Sequence, residues 1–454
     1  MSLASILNIA QSALSAHQRA VSTSSHNIAN ASTEGYSRQR VTMQAALPVR
    51  TAQGLVGRGV ETLGSTRARD RYIDAGIRRE TGTLGQYNTM KSLLGQVEAV
   101  FGEPSDTGIA VALDTFFDAM GDLANDPSGA APRALLREAG SSLVQRFRAT
   151  DARLGEIGLN VGERLRASVS EVNGLAAQIG DVNRQILALG AEADASDLED
   201  QRDLLVDRLS EYMGVRVVEH QDGTIGVLAG DALLVDGATV QRLDVRENPR
   251  GGFAIGFAGS KESIDANSGS VAALVELSGN QVPAVRRQLD QLVAALVDEV
   301  NTLHRAGRTP AGLGGVDFFD GTGRTAGTIA LDGRILQSTD NIAAGASGGA
   351  GDGAVALSIA QLRTGGTRAL GGQSLGEFYT GMVSSLGVVT REAEQAAAAQ
   401  DTMLASLEAQ RSSVSDVSVD EELVNLMRQQ QAYAAASRLV TIANSMMDDV
   451  LRMV

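Results

Sequence analysis

Apolar residues recur every seven positions at both ends of the chain. Between residues 3 and 31, Leu7, Leu14, Val21 and Ile28 form one row, and Leu3, Ala10, His17, Ser24 and Ala31 form the other. Two such rows trace one narrow face of an α-helix, the a/d seam of a coiled coil. The opposite face holds Ser, Gln, Asn, Thr and Ala with almost no charge. Solvent-facing helix surfaces normally carry charged residues, so this face suits a helix that ends up surrounded by protein. Residues 416–454 mirror the arrangement. Val419, Leu426, Tyr433, Val440, Met447 and Val454 form one row, and Leu423, Gln430, Ser437, Asn444 and Leu451 the other. Ser418 followed by Glu421 supplies a capping-box start. Neither seam has a partner nearby in sequence, so the two terminal helices are predicted to pack on each other. The alternative is that each docks on its own adjacent domain.

Between the ends, helices are predicted over 107–124 and 130–190. The second carries a seam of Leu165, Val172, Ile179 and Ile186 beside Val161, Leu175, Val182 and Leu189, interrupted by Gly155, Gly158 and Gly162. So long a seam predicts a rod-like coiled coil. Over 215–265 the pattern changes to alternation at Val215/Val217 and Ile225/Val227. Asp222-Gly223, Asp236-Gly237 and Gly251-Gly252 supply turns, which predicts a small β-domain. Helix returns over 283–305 and 374–411, separated by a Gly-rich stretch, 307–372, with strand candidates around 328–336. The predicted fold is mainly α with an inserted small β-domain, an elongated rod of long helices built from both chain ends. Its domains are 1–36 plus 416–454 (terminal helices), 37–205 plus 275–415 (helical rod) and 206–274 (β insert).

Composition narrows the chemistry. No window holds the roughly 18–20 apolar residues of a membrane helix, and the start lacks a cationic, then apolar, secretory signal. A cytoplasmic protein is expected, or one exported without cleavage of its N-terminus. There is no Cys, and the four His at 17, 26, 220 and 304 show no metal-ligand spacing. Trp is absent and aromatics are 3%, so the cores must be aliphatic, which suits helix bundles. The net charge of −15 argues against nucleic acid as the main partner. Residues 37–91 hold ten Lys/Arg against four Asp/Glu, whereas 92–454 hold 28 against 49. That basic segment could meet the acidic surface of another copy of the chain, or be a solvated face.

Candidate catalytic features are weak. Gly321-Thr322-Gly323 and Gly351-Asp352-Gly353 lack the flanking strand and helix, and the Lys-Ser/Thr, of a phosphate loop. Asp317 and Asp320 do not continue into a calcium-loop spacing. His304 sits alone on a helix face with Asn301, as a packed or capping side chain does. The charged run Leu198–Leu205 reads as a solvated helix with i,i+3 pairing. No catalytic, cofactor-binding or metal site is predicted.

The recognisable residues lie at the two ends. Asn27-Ile28-Ala29-Asn30 followed by Thr33-Glu34-Gly35-Tyr36 resembles the N-terminal signature of flagellar rod, hook and hook-associated proteins. Gly35-Tyr36-Ser37-Arg38-Gln39 is more selective. It resembles the FlgK family of hook-associated proteins, where rod and hook proteins usually have Gly-Phe-Lys. Asp420-Glu421-Glu422-Leu423 with Gln430-Gln431-Ala432-Tyr433 resembles that family's end. Internal stretches agree: Phe116-Phe117, Leu123-Ala124-Asn125-Asp126-Pro127, Asp200-Gln201-Arg202-Asp203, Asn301 with His304 and Gly307, and Phe318-Phe319. Glu34 and Asp416 depart from the family, which often has Pro and Gly there, and the single short β-module suggests that the outer domain of longer relatives is missing.

The resemblance implies a structural adapter joining hook to filament, exported uncleaved through the flagellar type III apparatus to the extracellular flagellum. The partners it implies are copies of itself, the hook protein, the next hook-associated protein and a cytoplasmic export chaperone on the C-terminal helical region, with neither nucleic acid nor membrane. The residues expected to carry assembly are Leu7, Leu14, Val21, Ile28, Asn27, Asn30, Gly35, Tyr36, Arg38, Leu423, Leu426, Tyr433, Val440 and Met447. Polar residues in both seams predict that the terminal helices are largely unfolded in the monomer and fold on assembly. The competing assignments are another axial flagellar protein (hook, rod or flagellin) and an enzyme-bearing flagellin.

Overall fold

Long helices carry most of the chain, as the seven-residue rows predict. A computed structural model describes residues 3–51, 54–103, 108–190, 194–248, 251–347, 349 and 351–453. In chain order the first half holds α1 (Leu3–Ala29), β1 (Gln39–Ala45), β2 (Val49–Thr51), β3 (Gly54–Val56), β4 (Val60–Arg67), α2 (Arg71–Phe101), α3 (Ile109–Asn125), α4 (Ala130–Leu189) and α5 (Ser196–Tyr212). Six strands follow: β5 (Val215–Glu219), β6 (Ile225–Ala229), β7 (Ala232–Asp236), β8 (Thr239–Val240), β9 (Leu243–Glu247) and β10 (Phe253–Phe257). The rest is α6 (Gly269–Glu276), α7 (Val282–Ala306), α8 (Gly333–Gln337), α9 (Ala354–Gln361), α10 (Leu375–Ser415) and α11 (Val419–Met453). The fold is therefore mainly α with small sheets.

Two compact units divide the chain: Met1–Leu84, Glu171–Arg242 and Gln400–Val454 in the first, and Gly85–Ser170 and Leu243–Ala399 in the second. The strands of residues 215–257 divide accordingly, β5–β8 in the first unit and β9–β10 in the second.

In the first unit α1 packs on α11, as predicted from the unpaired seams. The helices run antiparallel, since His17 meets Gln429 at 2.7 Å while Arg38, beyond the end of α1, meets Glu422 near the start of α11. The seam matches the predicted second row of α1 at Ala10 and Ser24 and departs from the predicted rows elsewhere. The buried positions of α1 are Ala10, Ala16, Ala20, Ser24 and Asn27, and those of α11 are Glu422, Ala436 and Ala443. Leu7, Leu14, Val21, Ile28, Leu426 and Val440 are only half-buried. Leu423, Tyr433 and Met447 are exposed. Small Ala and Ser side chains let two backbones approach closely, and the larger aliphatic groups then sit beside the contact line. α1 also lies against β1 and β4, which widens its covered face beyond two rows.

β1 and β4 pair antiparallel with a bulge at Thr42/Met43, and β2 and β3 form a short hairpin between them. Strands β5–β8 make an antiparallel sheet in chain order. Asn183 of α4, fully buried, anchors it: its amide donates to Ile225 O and Gly237 O and its Oδ1 accepts from Ile225 N. Gly180, one turn earlier on α4, leaves room for Val240, whose Cγ2 would lie 2.6 Å from an added Cβ.

In the second unit, Phe116, Phe318 and Phe319 are fully buried beside Phe117, with ring centroids 5.1–5.7 Å apart. The Gly-rich stretch is clamped to α7 by two of the singled-out residues. Asn301 accepts from Phe318 N and Phe319 N and donates to Phe319 O. His304, fully buried, bonds Val316 O through Nδ1 and accepts from Ala343 N through Nε2. The strand candidates around 328–336 are corrected. Leu331 makes one isolated bridge to Phe319, and Asp332 then caps the short helix α8 by accepting from Arg334 N. Helix α4 is continuous for 60 residues despite its glycines. Gly155 and Gly158 face open space, whereas Gly162 lies under the Phe253 ring, where a Cβ would come within 2.5 Å. The predicted α4 seam is buried except at Leu189, which is 47% exposed in the first unit.

Candidate interaction site at the chain ends

The turn after α1 is built around Gly35. Thr33 N donates to Asn30 O and Tyr36 N to Thr33 O, and Gly35 takes φ +78°, a conformation that a Cβ disfavours. A side chain there would also press on Leu204. Asn30 shapes the turn from its start, donating to His26 O and accepting from Thr33 Oγ1. Glu34 is exposed and pairs with Arg208 at 3.3 Å.

Each residue after the turn then bonds a different element. Asn27, 1% exposed, accepts from Tyr36 Oη at 2.7 Å and Gln39 N at 3.0 Å, and donates to Gln39 O at 2.9 Å. Its amide oxygen thereby accepts twice and its nitrogen donates once at the turn. Burial, with the carboxylates of Asp197 and Asp200 nearby, pushes the Tyr36 phenol well above its usual range, so it remains a donor. Ser37 donates through N and Oγ to Asp200 of α5, both at 2.8 Å. Arg38 N donates to Ser415 O, and its guanidinium grips the nearly buried Glu422 at 2.7 Å and the exposed Glu421 at 3.0 Å. Glu421 N lies 3.5 Å from Ser418 Oγ, the cap anticipated for α11. Asp416 stands where relatives often have Gly. Among the described residues every positive φ belongs to a glycine, so the turn into α11 needs none there.

Behind this junction lies a network of charges that the sequence did not reveal. Arg67 reaches Glu199, Asp200 and Asp203 at 2.7–2.9 Å, Arg69 reaches Asp203 and Asp74, and Arg78 reaches Asp203 and Asp207. Burial pushes the Asp203 carboxyl up, but the guanidinium groups of Arg69, Arg67 and Arg78 overcome it and bring the pKa down to about 2. Two expectations are corrected here. The run Leu198–Leu205 is not a solvated face: Asp200 and Arg202 are buried, and Arg202 bonds Asn183 and Gly223 O. Nor are Arg67 and Arg69 free for another copy, because α5 presents Asp200 and Asp203 to them on one helical face, with Asp207 on the same face taking Arg78.

The exposed side of α11 carries uncovered apolar side chains among charged ones such as Arg428, Arg438 and Asp448. Leu423, Met427, Leu439, Ile442, Met446 and Val450 are each 45–54% exposed. So many exposed apolar side chains on one helix mark an interaction surface. Beside α1 runs a groove of about 830 Å³, lined by uncharged Ser5, Asn8 and Ser12 against Leu47 and Val56. Among the described residues no three His, Cys, Asp or Glu side chains gather to hold a metal ion. No helix of the described residues is long and apolar enough to cross a membrane.

Three family models match the chain. The flagellar hook-associated protein FlgK helical domain matches residues 94–319, the flagella basal body rod protein model 7–36, and the flagellar basal body rod FlgEFG protein C-terminal model 408–453. The chain is 29% identical to flagellar hook-associated protein 1 of Bacillus subtilis, over 98% of this chain and 97% of that protein. It is 26% identical to the protein of that name from Escherichia coli, over 99% and 100%. That alignment runs over 550 positions against the 454 residues here, so the longer relative carries segments this chain lacks. Among solved structures, the flagellar hook junction protein FlgK from Burkholderia pseudomallei superposes with a TM-score of 0.66 at 16% identity, covering 74% of this chain and all of that one.

Proposed function

The chain belongs to the FlgK family of flagellar hook-associated proteins, and from that premise we propose that it joins hook to filament as a structural adapter acting through assembly and not through catalysis. The observation that carries this is the bonding of the turn residues 35–39. It ties α1 to the start of α11, making the chain ends one body whose outer apolar face is still uncovered.

On this reading, residues 1–36 and 416–454 form the inner domain, packed among the same segments of neighbouring copies. Residues 37–205 with 275–415 are the rod outside it, and 206–274 the β insert. Leu423, Tyr433 and Met447, exposed on α11, meet neighbouring copies. Leu7, Leu14, Val21, Ile28, Leu426 and Val440 flank the α1–α11 seam and are completed by those copies. Asn27, Asn30, Gly35, Tyr36 and Arg38 set the angle at which the chain leaves α1. The hook protein is the neighbour on one side and the next hook-associated protein on the other. A cytoplasmic chaperone covers the C-terminal helical region before export through the flagellar type III apparatus, which places the protein on the extracellular flagellum. Electron microscopy of a strain lacking the gene tests the assignment. Hooks without filaments support a junction protein; missing hooks would mean another axial component.

A further inference from the structure

Arg133 of α4, in the second unit, is 3% exposed and makes no ion pair with any described carboxylate. Its Nη1 donates to Ile342 O at 2.5 Å and Nη2 to Pro127 O at 2.6 Å, while Nε has no partner. Carbonyl dipoles satisfy only some of its hydrogens and do not neutralise a buried charge, which is costly unless paired. Burial accordingly lowers its pKa, and Asp340 and Asp126 offset this only from beyond contact distance.

The Arg133 side chain borders a cavity of about 160 Å³, shared with Arg308, Thr309, Ser128, Gly345 and Asp352. That is room for a tetrahedral ion, given roughly 30 Å³ for each water displaced. Thr309 is 5% exposed and its Oγ1 also lacks a partner. Arg308 reaches only Gly312 O, at 3.5 Å. Among the described residues the acid on the wall is Asp352, already committed by accepting from Ser347 N, Ser347 Oγ and Ala354 N. Among the described residues, two arginines and a threonine with an unpaired hydroxyl therefore share this wall with one occupied carboxylate. A water could satisfy Thr309 but would leave the charge of Arg133 unbalanced.

We propose that this cavity binds a small oxyanion, held by Arg133 and Arg308 with Thr309 as a neutral donor. The oxyanion is either free phosphate or a carboxylate side chain presented by a docking neighbour, both of which match the fork of a guanidinium. The proposal stands apart from the junction assignment, because none of its residues belongs to the chain ends.

Isothermal titration calorimetry on the full chain, at constant ionic strength, tests it with phosphate and with acetate against a chloride control. Saturable binding of either oxyanion is expected, weakened roughly tenfold by Arg308→Gln or Thr309→Val, as loss of a charge-assisted or buried hydrogen bond predicts. Preference for phosphate points to the free ion and preference for acetate to a carboxylate of a neighbour. Both variants change groups at the cavity rim and are checked for an unchanged melting temperature, so the test does not depend on Arg133, whose removal could unfold α4 locally. No saturable heat above chloride, or the parent's affinity in both variants, would overturn the proposal.

Discussion

At the scale of residues, the chain ends are held by side chains that each have one defined task. Asn27 bonds Tyr36 and the backbone of Gln39, Tyr36 closes over it, and Arg38 neutralises the nearly buried Glu422. Replacing Arg38 with Ala leaves a buried carboxylate unpaired, which costs about 3 kcal/mol and loosens the start of α11. Urea unfolding of the purified chain checks this, and a loss below about 1 kcal/mol would mean that Glu422 finds another partner. Asp203 makes a pH-dependent contribution. Its folded pKa of about 2 lies below the ordinary value, so its stabilisation is complete above about pH 4 and is lost as pH falls from there towards 2. Asp203→Asn removes that dependence and lowers stability at neutral pH, because three arginines lose their shared partner. This network could not be read in the sequence. Arg67 and Asp203 are far apart along the chain, and a charged run in a helix has the same letters whether it faces water or arginines.

At the scale of elements, seven-residue rows located α1, α4 and α11 well, because their period is a property of the helix itself. The register of the α1–α11 seam was less legible, since Ala16, Ala20, Ala436 and Ala443 are buried yet add little to an apolar pattern. The β1–β4 region was missed because its strands alternate Arg, Thr and Glu with half-exposed residues, a weak signal for a strand. The clamp on the Gly-rich stretch was foreshadowed by the spacing of Asn301 and His304, though not its targets. Burial keeps His304 neutral by lowering its pKa. An unfolded His binds a proton below about pH 6.5 and the folded one does not, so stability falls as pH drops below that value, by at most about 1.4 kcal/mol per pH unit. Thermal melts between pH 7.5 and 5 should show this for the parent and a weaker dependence for His304→Gln. An equal dependence in both would place the titration elsewhere. α11 buries few side chains, so it should exchange its amide hydrogens much faster in the monomer than α7, whose apolar face is buried along its length. Comparable protection of the two helices would show that the terminal pair is already a stable core before assembly.

At the scale of the whole molecule, charge and similarity together bound what the chain does. The basic balance of 37–91 is in large part met at home, through Arg67, Arg69 and Arg78 on α5 and Arg38 on α11. Reversing Arg67 to Glu should therefore unfold part of the first unit before it alters any contact between copies. The surface left for neighbours is the uncharged side of α1 and the apolar side of α11. On the proposed reading those faces are covered by neighbouring copies of the chain. Cryo-electron microscopy of isolated hook–filament particles measures this directly. The account predicts density for this chain confined to the boundary between hook and filament, with α1 and α11 innermost and Leu423, Tyr433 and Met447 against neighbouring copies. Density for the chain along the hook or along the filament, or α11 turned towards solvent, would contradict it.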